Sequence, residues 1–301
     1  MTSEVRPCPA CGGRSYRRRS LLPDLLTKTC RSCGLILGSI PRRVDIVPEF
    51  ALVDEPAYVR AVGAVRRRQA REILSVLRRH ATRGRLLDVG CSFGFFLLEA
   101  RRAGFEIAGI EPDPLAFERA SELLGAGVVQ LGLFSRETVD AGSIDAISTL
   151  DVIEHIAPEE LDGFAELVEG ALRPSGLWII KVPSTEGLYF RLSHMLMQLW
   201  PSVGARFVER LWQTRYEFPH LVYFDQRTLT MFLERHDFEI VEHRFVQEIP
   251  NGTVVDRLTT DGGISRSTAY LLAPFVIAVN VIESIRGRSD SLVVFARRRR
   301  T

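Results

Sequence analysis

The chain has 301 residues, of which 46% are hydrophobic and 25% charged, with a formal net charge of +2. That length supports one large domain with appendages, and the composition is ordinary for a soluble protein. The near-zero net charge excludes a strongly basic nucleic-acid binder or a strongly acidic solvating chain.

Basic residues are nearly all arginine, Lys28 and Lys181 being the only lysines, a pattern read as compositional habit. No charged–apolar–cleavage signal opens the chain, so a cytoplasmic location is the expectation. Four of the five cysteines fall in the first 33 residues, as Cys8-x2-Cys11 and Cys30-x2-Cys33 with 18 residues between the pairs. Without an export signal this spacing points to zinc and not to disulfides. Each pair forms a knuckle presenting two thiolates, and two knuckles complete a tetrahedral site. Glycines follow in Cys11-Gly12-Gly13 and Cys33-Gly34, where a knuckle needs unusual dihedrals. Four thiolates leave no open coordination position, so the role read for this 1–40 module is structural. Arg17 to Arg19 fall in the loop between the knuckles and read as a solvated tip, with nucleic-acid contact as the alternative. Pro41, Pro48 and Pro56 mark 41–56 as a linker. Tyr58 to His80 carries helix-spaced apolar residues, and Arg66-Arg67-Arg68 read as that helix's solvent face.

Arg85 to Asp113 reads as strand, glycine turn, helix, strand. Leu86, Leu87 and Val89 form a short apolar run that ends in Gly90, the mark of a buried strand. Phe95 to Arg102 has helical spacing and stops at Ala103-Gly104, and Glu106 to Ile110 is a second apolar strand ending on Glu111. Two parallel strands joined by a helix form a right-handed βαβ unit with a ligand crevice at their carboxyl ends. The turn, Asp88-Val89-Gly90-Cys91-Ser92-Phe93-Gly94, is D-x-G-x-x-x-G, neither a dinucleotide fingerprint nor a P-loop. Glu111, 17 residues beyond Gly94, is placed to accept from two ribose hydroxyls. Two acids, Asp88 and Glu111, with no basic residue at the turn suit a nucleoside with a cationic or zwitterionic tail.

The chain here resembles the class I S-adenosylmethionine (SAM)-dependent methyltransferases. LLDVGCSFGFF is similar to their first motif and GIEPD to their acidic second motif. STLDVIEHI (148–156) is similar to their segment after strand 4, and LRPSGLWIIKVPS (172–184) to the turn before strand 5. The resemblance covers roughly Glu55 to Arg297 and implies a domain at 57–301 with a Rossmann-like, seven-stranded, mostly parallel α/β sheet whose strand 7 is antiparallel. It implies a SAM crevice formed by Asp88, Gly90, Cys91, Ser92, Gly94, Glu111, Pro112, Leu133, Leu150, Asp151 and Val152. Gly132 and Phe134 flank Leu133 in the loop that contacts adenine in the family. Ser92 stands where the family most often has glycine, which alters the shape of the methionine pocket.

Further along, Ser143 to Leu150 reads as strand 4, Leu161 to Leu172 as a helix and Leu177 to Val182 as strand 5. His155 is the best-placed proton acceptor by chemistry, or a histidine that caps the next helix or shapes the pocket. Thr185 to Glu217 is an apolar insertion over the crevice, with Met195, Met197 and the tryptophans either lining an acceptor pocket or packing against the core. His220 is the second candidate base, or a structural turn residue. Asp225-x-x-Thr228 caps a helix; Phe238 to Phe245 and Ser291 to Arg297 are strands 6 and 7. Ala269 to Ile282, within a second insertion at 264–286, reads as a buried or capping helix too short to span a bilayer and interrupted by Pro274 and Asn280. Contact with a membrane or lipid-linked acceptor is the alternative.

The function read from this pattern is methyl transfer from SAM to a small-molecule or biosynthetic-intermediate acceptor, with O-methylation foremost. Methylation of quinone or other lipid-linked acceptors, with peripheral membrane contact, is the runner-up. A non-catalytic SAM-binding protein and a nucleic-acid-directed module come from other classes.

Overall fold

The structure, a computed structural model, describes residues 6–40, 55–80, 83–262 and 264–299. Most of the expected linker therefore lies outside the described residues; Glu55 and Pro56 already belong to a helix. In chain order the elements are β1 (Tyr16–Leu22), β2 (Leu25–Cys30), β3 (Ile36–Ser39), α1 (Glu55–His80), β4 (Arg85–Val89), α2 (Phe95–Arg102) and β5 (Glu106–Glu111). There follow α3 (Pro114–Leu124), β6 (Val129–Leu131), β7 (Ile144–Leu150), α4 (Leu161–Ala171), β8 (Leu172–Pro183), α5 (Leu188–Leu199) and α6 (Pro201–Trp212). The chain closes with β9 (Val222–Tyr223), α7 (Gln226–Arg235), β10 (Phe238–Val246), α8 (Val254–Gly262), α9 (Arg266–Arg286) and β11 (Ser291–Arg298).

The main sheet has seven strands in the order β6-β5-β4-β7-β8-β11-β10, and β11 runs antiparallel to both its neighbours. The expected α/β architecture is thus the observed one. Strand β8 shows why its sequence is apolar throughout. Trp178, Ile180 and Val182 enter the core on one face, while Leu177 and Ile179 enter the other. A strand covered on both sides alternates between two cores instead of between core and water. Helices α1, α2 and α3 supply one core, and α4 and α7 the other. Because the chain builds β5 and β6 on one side of β4 and β7 and β8 on the other, the crevice opens between the carboxyl ends of β4 and β7.

The N-terminal module is fused to this body by a second sheet, β1-β2-β3-β9. Strand β3 pairs with β9 through Ile36–Tyr223 and Leu37–Val222, and the Gly38 amide donates to the Leu221 carbonyl at 2.7 Å. Cys8, Cys30, Cys33, Leu35 and Leu37 share a core with Leu229, Phe232 and Leu233 of α7. Arg235 also donates to the carbonyls of Cys8 and Pro9. Arg17 to Arg19 are exposed, but they lie on β1 opposite Thr27, Lys28 and Thr29 and not at a loop tip. A strand there follows from the ladder that β2 offers, which periodicity could not reveal.

Two helical readings change. The 185–217 insertion is a hairpin, α5 and α6, with Pro201 at the first turn of α6. Its tryptophans do not share one pocket: Trp212 is fully buried against the ribbon side, whereas Trp200 is 62% exposed. Helix α9 is neither buried nor broken. Ser265 caps its start, Gly287 in the left-handed region ends it, and Pro274 sits inside it. Leu271 and Ile285 are 81% and 80% exposed, and Leu272, Phe275, Val281 and Ile282 are exposed as well. Asn280 does not interrupt the helix but anchors it, donating to the Ile249 carbonyl at 2.7 Å and the Asn251 side chain at 2.8 Å. Its length and apolar composition are sufficient to cross a membrane, although a third of that window is buried in the protein.

A Cβ at Gly38 would stand 2.5 Å from the Trp212 ring and 3.4 Å from the His220 carbonyl. Gly38→Ala is therefore expected to lower unfolding stability by about 1–3 kcal/mol through overpacking at the seam between the two sheets, as measured by urea denaturation.

Candidate active site

The crevice is built on backbone that only its sequence tolerates. Gly90, Ser92 and Gly94 have φ of 71°, 47° and 76°. A Cβ on Gly90 would come within 2.7 Å of Val152, so glycine is what allows the β4 turn to lie against the turn after β7. Ser92 adopts the left-handed conformation at a cost of about 1–2 kcal/mol for a residue with a Cβ. Its amide donates to Glu111 Oε2 at 2.7 Å, and the Asp113 amide donates to Oε1 at 2.9 Å. Each Glu111 oxygen thus accepts one backbone hydrogen bond and keeps a second lone pair. Pro112 joins Glu111 to the N-cap of α3, where Asp113 accepts from Ala116. Burial raises the Glu111 pKa above its ordinary value while these two amides pull it down.

Asp88 lies beneath the turn and is 2% exposed. It accepts from the Ser148 hydroxyl at 2.6 Å. Burial raises its pKa from 3.8 to about 7; the Ser148 bond opposes the shift and the Glu111 charge adds to it. Cys91 is buried behind the turn, and Leu150 is packed into the α1–α3 core. Gly132 donates to the Glu111 carbonyl at 3.0 Å, which ties the loop after β6 to the crevice. Leu133 on that loop is 74% exposed, whereas Phe134 turns inward against Phe164.

Asp151 follows β7 directly, and its φ of 59° reverses the chain into Val152 and a short 3-10 turn, Ile153–His155. The Asp151 carboxylate meets Lys181 Nζ at 2.8 Å through both oxygens and Arg66 at 2.6 Å. Lys181 also contacts Glu248 at 2.5 Å. Burial would raise the Asp151 pKa, but the Lys181 and Arg66 charges beside it hold it well below the usual carboxylate range. Its side chain is committed to the protein, so what it contributes to the crevice is chain direction. Arg66 is consequently not a solvent-facing residue, and Arg67 lies over the Phe95 ring, 5.5 Å from its centroid. One signal for this network was present in the sequence: Lys181, one of two lysines, stands in the middle of an apolar strand.

His155 and His220, distant in sequence, are brought together with ring centroids 4.9 Å apart. Glu154 between them is wholly buried. The Leu221 amide donates to the Glu154 carbonyl at 2.6 Å, linking the turn after β7 to the segment that enters β9. Burial lowers both histidine pKa values and raises that of Glu154. At pH 7 the imidazoles are neutral and able to take a proton or donate a lone pair.

In the N-terminal module the sulfurs pair as Cys8–Cys33 and Cys11–Cys30, each at 3.6 Å, and all four lie within 4.8 Å of one another. A disulfide would be about 2 Å. Sulfurs about 2.3 Å from a tetrahedral zinc ion are about 3.8 Å apart, so the four thiols fit such an ion. Gly12 and Gly34 have φ of 72° and 90°, the conformation the knuckles needed.

A methyltransferase-domain family model matches residues 62–243. The chain belongs to that family, and with this fold and crevice it is a SAM-dependent methyltransferase. Among solved structures it is similar to a SAM-dependent methyltransferase from Archaeoglobus fulgidus, with 18% identity, TM-score 0.50, and coverage of 77% of this chain and 94% of that one. It also resembles a chain from the complex between the Haloferax volcanii Trm112 methyltransferase activator and a methyltransferase, with 15% identity, TM-score 0.55, and coverage of 82% and 96%. The [4+2]-cyclase SpnF is a third, at 16% identity, TM-score 0.50, and coverage of 78% and 81%. These likenesses are of fold. No curated protein matches the chain.

Between pH 3.8 and about 7, folded protein holds a proton on Asp88 that the unfolded chain has released. The contribution of this group to stability therefore falls as pH rises through that window. Asp88→Asn is expected to remove that loss, so the stability of wild type relative to the variant should drop from pH 5 to pH 7.5. Urea unfolding of ligand-free protein checks this, and a pH-independent difference would count against the assignment.

Proposed function

We propose that the protein transfers the SAM methyl group to a hydroxyl oxygen of a small-molecule or biosynthetic-intermediate acceptor. The observation that carries the reading is the Glu111 carboxylate, oriented by the Ser92 and Asp113 amides beside the glycine turn, where a ribose diol needs two acceptors. In this reading Gly90, Cys91, Ser92 and Gly94 cradle the methionine end, and Pro112 and Leu133 flank the nucleoside. Leu150 and Val152 line the approach to the methyl group, Asp88 supports the turn from below, and Asp151 sets the direction of the chain. The acceptor oxygen attacks the methyl carbon, the C–S bond breaks, and its electron pair stays on sulfur, leaving neutral S-adenosylhomocysteine. Alignment and exclusion of water supply most of the acceleration, and oriented reactants are worth roughly 7–11 kcal/mol. A hydroxyl must also lose its proton, and the His155–His220 pair is assigned to that task. The N-terminal module carries a structural zinc ion on Cys8, Cys11, Cys30 and Cys33, supported by the sulfur spacing and the two knuckles.

Isothermal titration with SAM is the direct test. Binding is expected for SAM and not for NAD, and Glu111→Ala should weaken it about 100-fold, the loss of two charge-assisted hydrogen bonds at about 1.5 kcal/mol each. His155→Ala and His220→Ala should keep SAM affinity while lowering turnover about 10²-fold or more. Unchanged turnover in both would remove the histidines from the mechanism.

A second reading, methylation of acceptors held in a membrane, is favoured by the exposed face of α9. Leu271, Phe275, Ile282 and Ile285 form an apolar stripe at helical spacing with Arg266 and Arg286 at its ends. Such a helix lies in an interface with its basic ends near anionic headgroups. Co-flotation with phosphatidylglycerol vesicles is expected on this reading and should be lost in the double variant Leu271→Glu/Phe275→Glu. Failure of wild type to float would exclude it.

A further inference from the structure

Glu154, His155 and His220 bring three potential ligand atoms together in a buried cluster. His155 Nδ1 lies 3.1 Å from the Pro219 carbonyl oxygen. A carbonyl only accepts, so the single proton of the neutral ring sits on Nδ1 and leaves Nε2 as a bare lone pair. Tyr223 donates its hydroxyl proton to the Leu211 carbonyl at 2.7 Å. Its oxygen therefore accepts from His220 Nδ1 at 3.0 Å, and His220 Nε2 is left bare as well. Glu154 is fully buried, and neither carboxylate oxygen has a hydrogen-bond partner among the described residues. One ligand atom from each of the three residues lies within 4.8 Å of the other two.

A buried carboxyl group with no hydrogen-bond partner is costly whether charged or protonated, and a cation bound by all three side chains would relieve that cost. We propose that Glu154, His155 and His220 form a divalent metal site distinct from the four cysteines, with two imidazole nitrogens and one carboxylate oxygen as ligands. This donor set suits zinc, manganese, iron(II) or cobalt over magnesium or calcium, whose preference is for oxygen alone. Three protein ligands leave positions open to an exogenous oxygen, as in catalytic rather than structural sites. The surroundings are those of ligating histidines: each ring is held in one tautomer by a hydrogen bond on its other nitrogen, to Pro219 O or to the Tyr223–Leu211 pair. The turn carrying Glu154 and His155 is fastened to Leu221, and Leu221 is fastened to Gly38 of β3. The zinc-ribbon side of the molecule thereby holds the His220 ligand in place.

The part such an ion plays in turnover rests on the methyl-transfer reading; its binding does not. An acceptor hydroxyl bound at an open position has its pKa lowered and releases its proton to solvent. The resulting oxyanion forms the O–CH3 bond as the C–S bond breaks, with the electron pair going to sulfur. With Nε2 given to the ion and Nδ1 carrying the ring hydrogen, the histidines act as ligands and the proton leaves to solvent.

The test uses the full chain with its cysteines loaded with zinc. Manganese(II) is the probe, because it sits lowest in the affinity order for such sites and does not displace zinc from four thiolates. Titration followed by the EPR signal of free manganese should show a single ion bound per chain, and pulsed EPR should show coupling to two imidazole nitrogens. Glu154→Gln and His155→Gln should each weaken binding by about tenfold or more, whereas His243→Ala should not. Absence of manganese, cobalt or zinc binding beyond the equivalent held by the cysteines would overturn the proposal, as would wild-type affinity in both variants. SAM titration of the same samples separates the two readings. SAM binding without a second metal ion overturns this site and leaves methyl transfer standing; a second metal ion without SAM binding does the reverse.

Discussion

The ammonium of Lys181 is the point on which the crevice depends. It is 1% exposed and joins Asp151 at the end of β7 to Glu248 beyond the end of β10, while Arg66 of α1 closes on the same Asp151. Four elements from distant parts of the chain are thereby tied at the carboxyl edge of the sheet. The benefit is directional. Asp151 occupies a left-handed conformation that a residue with a Cβ adopts at a cost of about 1–2 kcal/mol, and its two cationic partners hold it there. That reversal brings Val152 against Gly90 and sends the chain into Glu154 and His155. Removing the lysine would leave two carboxylates facing each other with one guanidinium between them, a more serious defect than the loss of a surface ion pair.

The two metal-competent clusters sit on opposite sides of one hydrogen-bonded path. The cysteines hold β1–β3 as a small sheet, β3 adopts β9 as its fourth strand, and β9 follows directly after His220. An ion held by four thiolates would have no position left for chemistry, so any effect on the crevice would pass through backbone. This gives the N-terminal module a physical reason to share a core with α7 instead of hanging from a flexible tether. It also explains the glycine at position 38, where any side chain would press on Trp212.

Helix α9 and the α5–α6 hairpin leave a good deal of apolar surface uncovered, with Trp200 at 62% and Leu271 at 81% exposure. Exposed apolar residues in such number are more than scattered surface positions call for. They lie outside the seven-stranded sheet. A similar fold occurs in a methyltransferase and in the cyclase SpnF, so the sheet alone does not fix the reaction.

Much of this was legible without coordinates. The seven-stranded sheet with its antiparallel strand followed from the resemblance of the motifs, the knuckles from cysteine and glycine spacing, the crevice from Gly90, Gly94 and Glu111, and the α7 cap from Asp225 and Thr228. These are local signals, set by dihedral preference and by periods of two or 3.6 residues. What the sequence could not decide was pairing across long separations. Arg66 read as solvated because its partner Asp151 is 85 positions away, and Arg17 to Arg19 read as a loop because the partner strand alone makes them a strand. The apolar run at 269–282 read as buried because composition records hydrophobicity and not what covers it. The meeting of His155 with His220 around a buried Glu154 is likewise tertiary: a turn after β7 and a segment before β9 converge only once both sheets are packed. Local chemistry named the residues, and packing alone chose which of them meet.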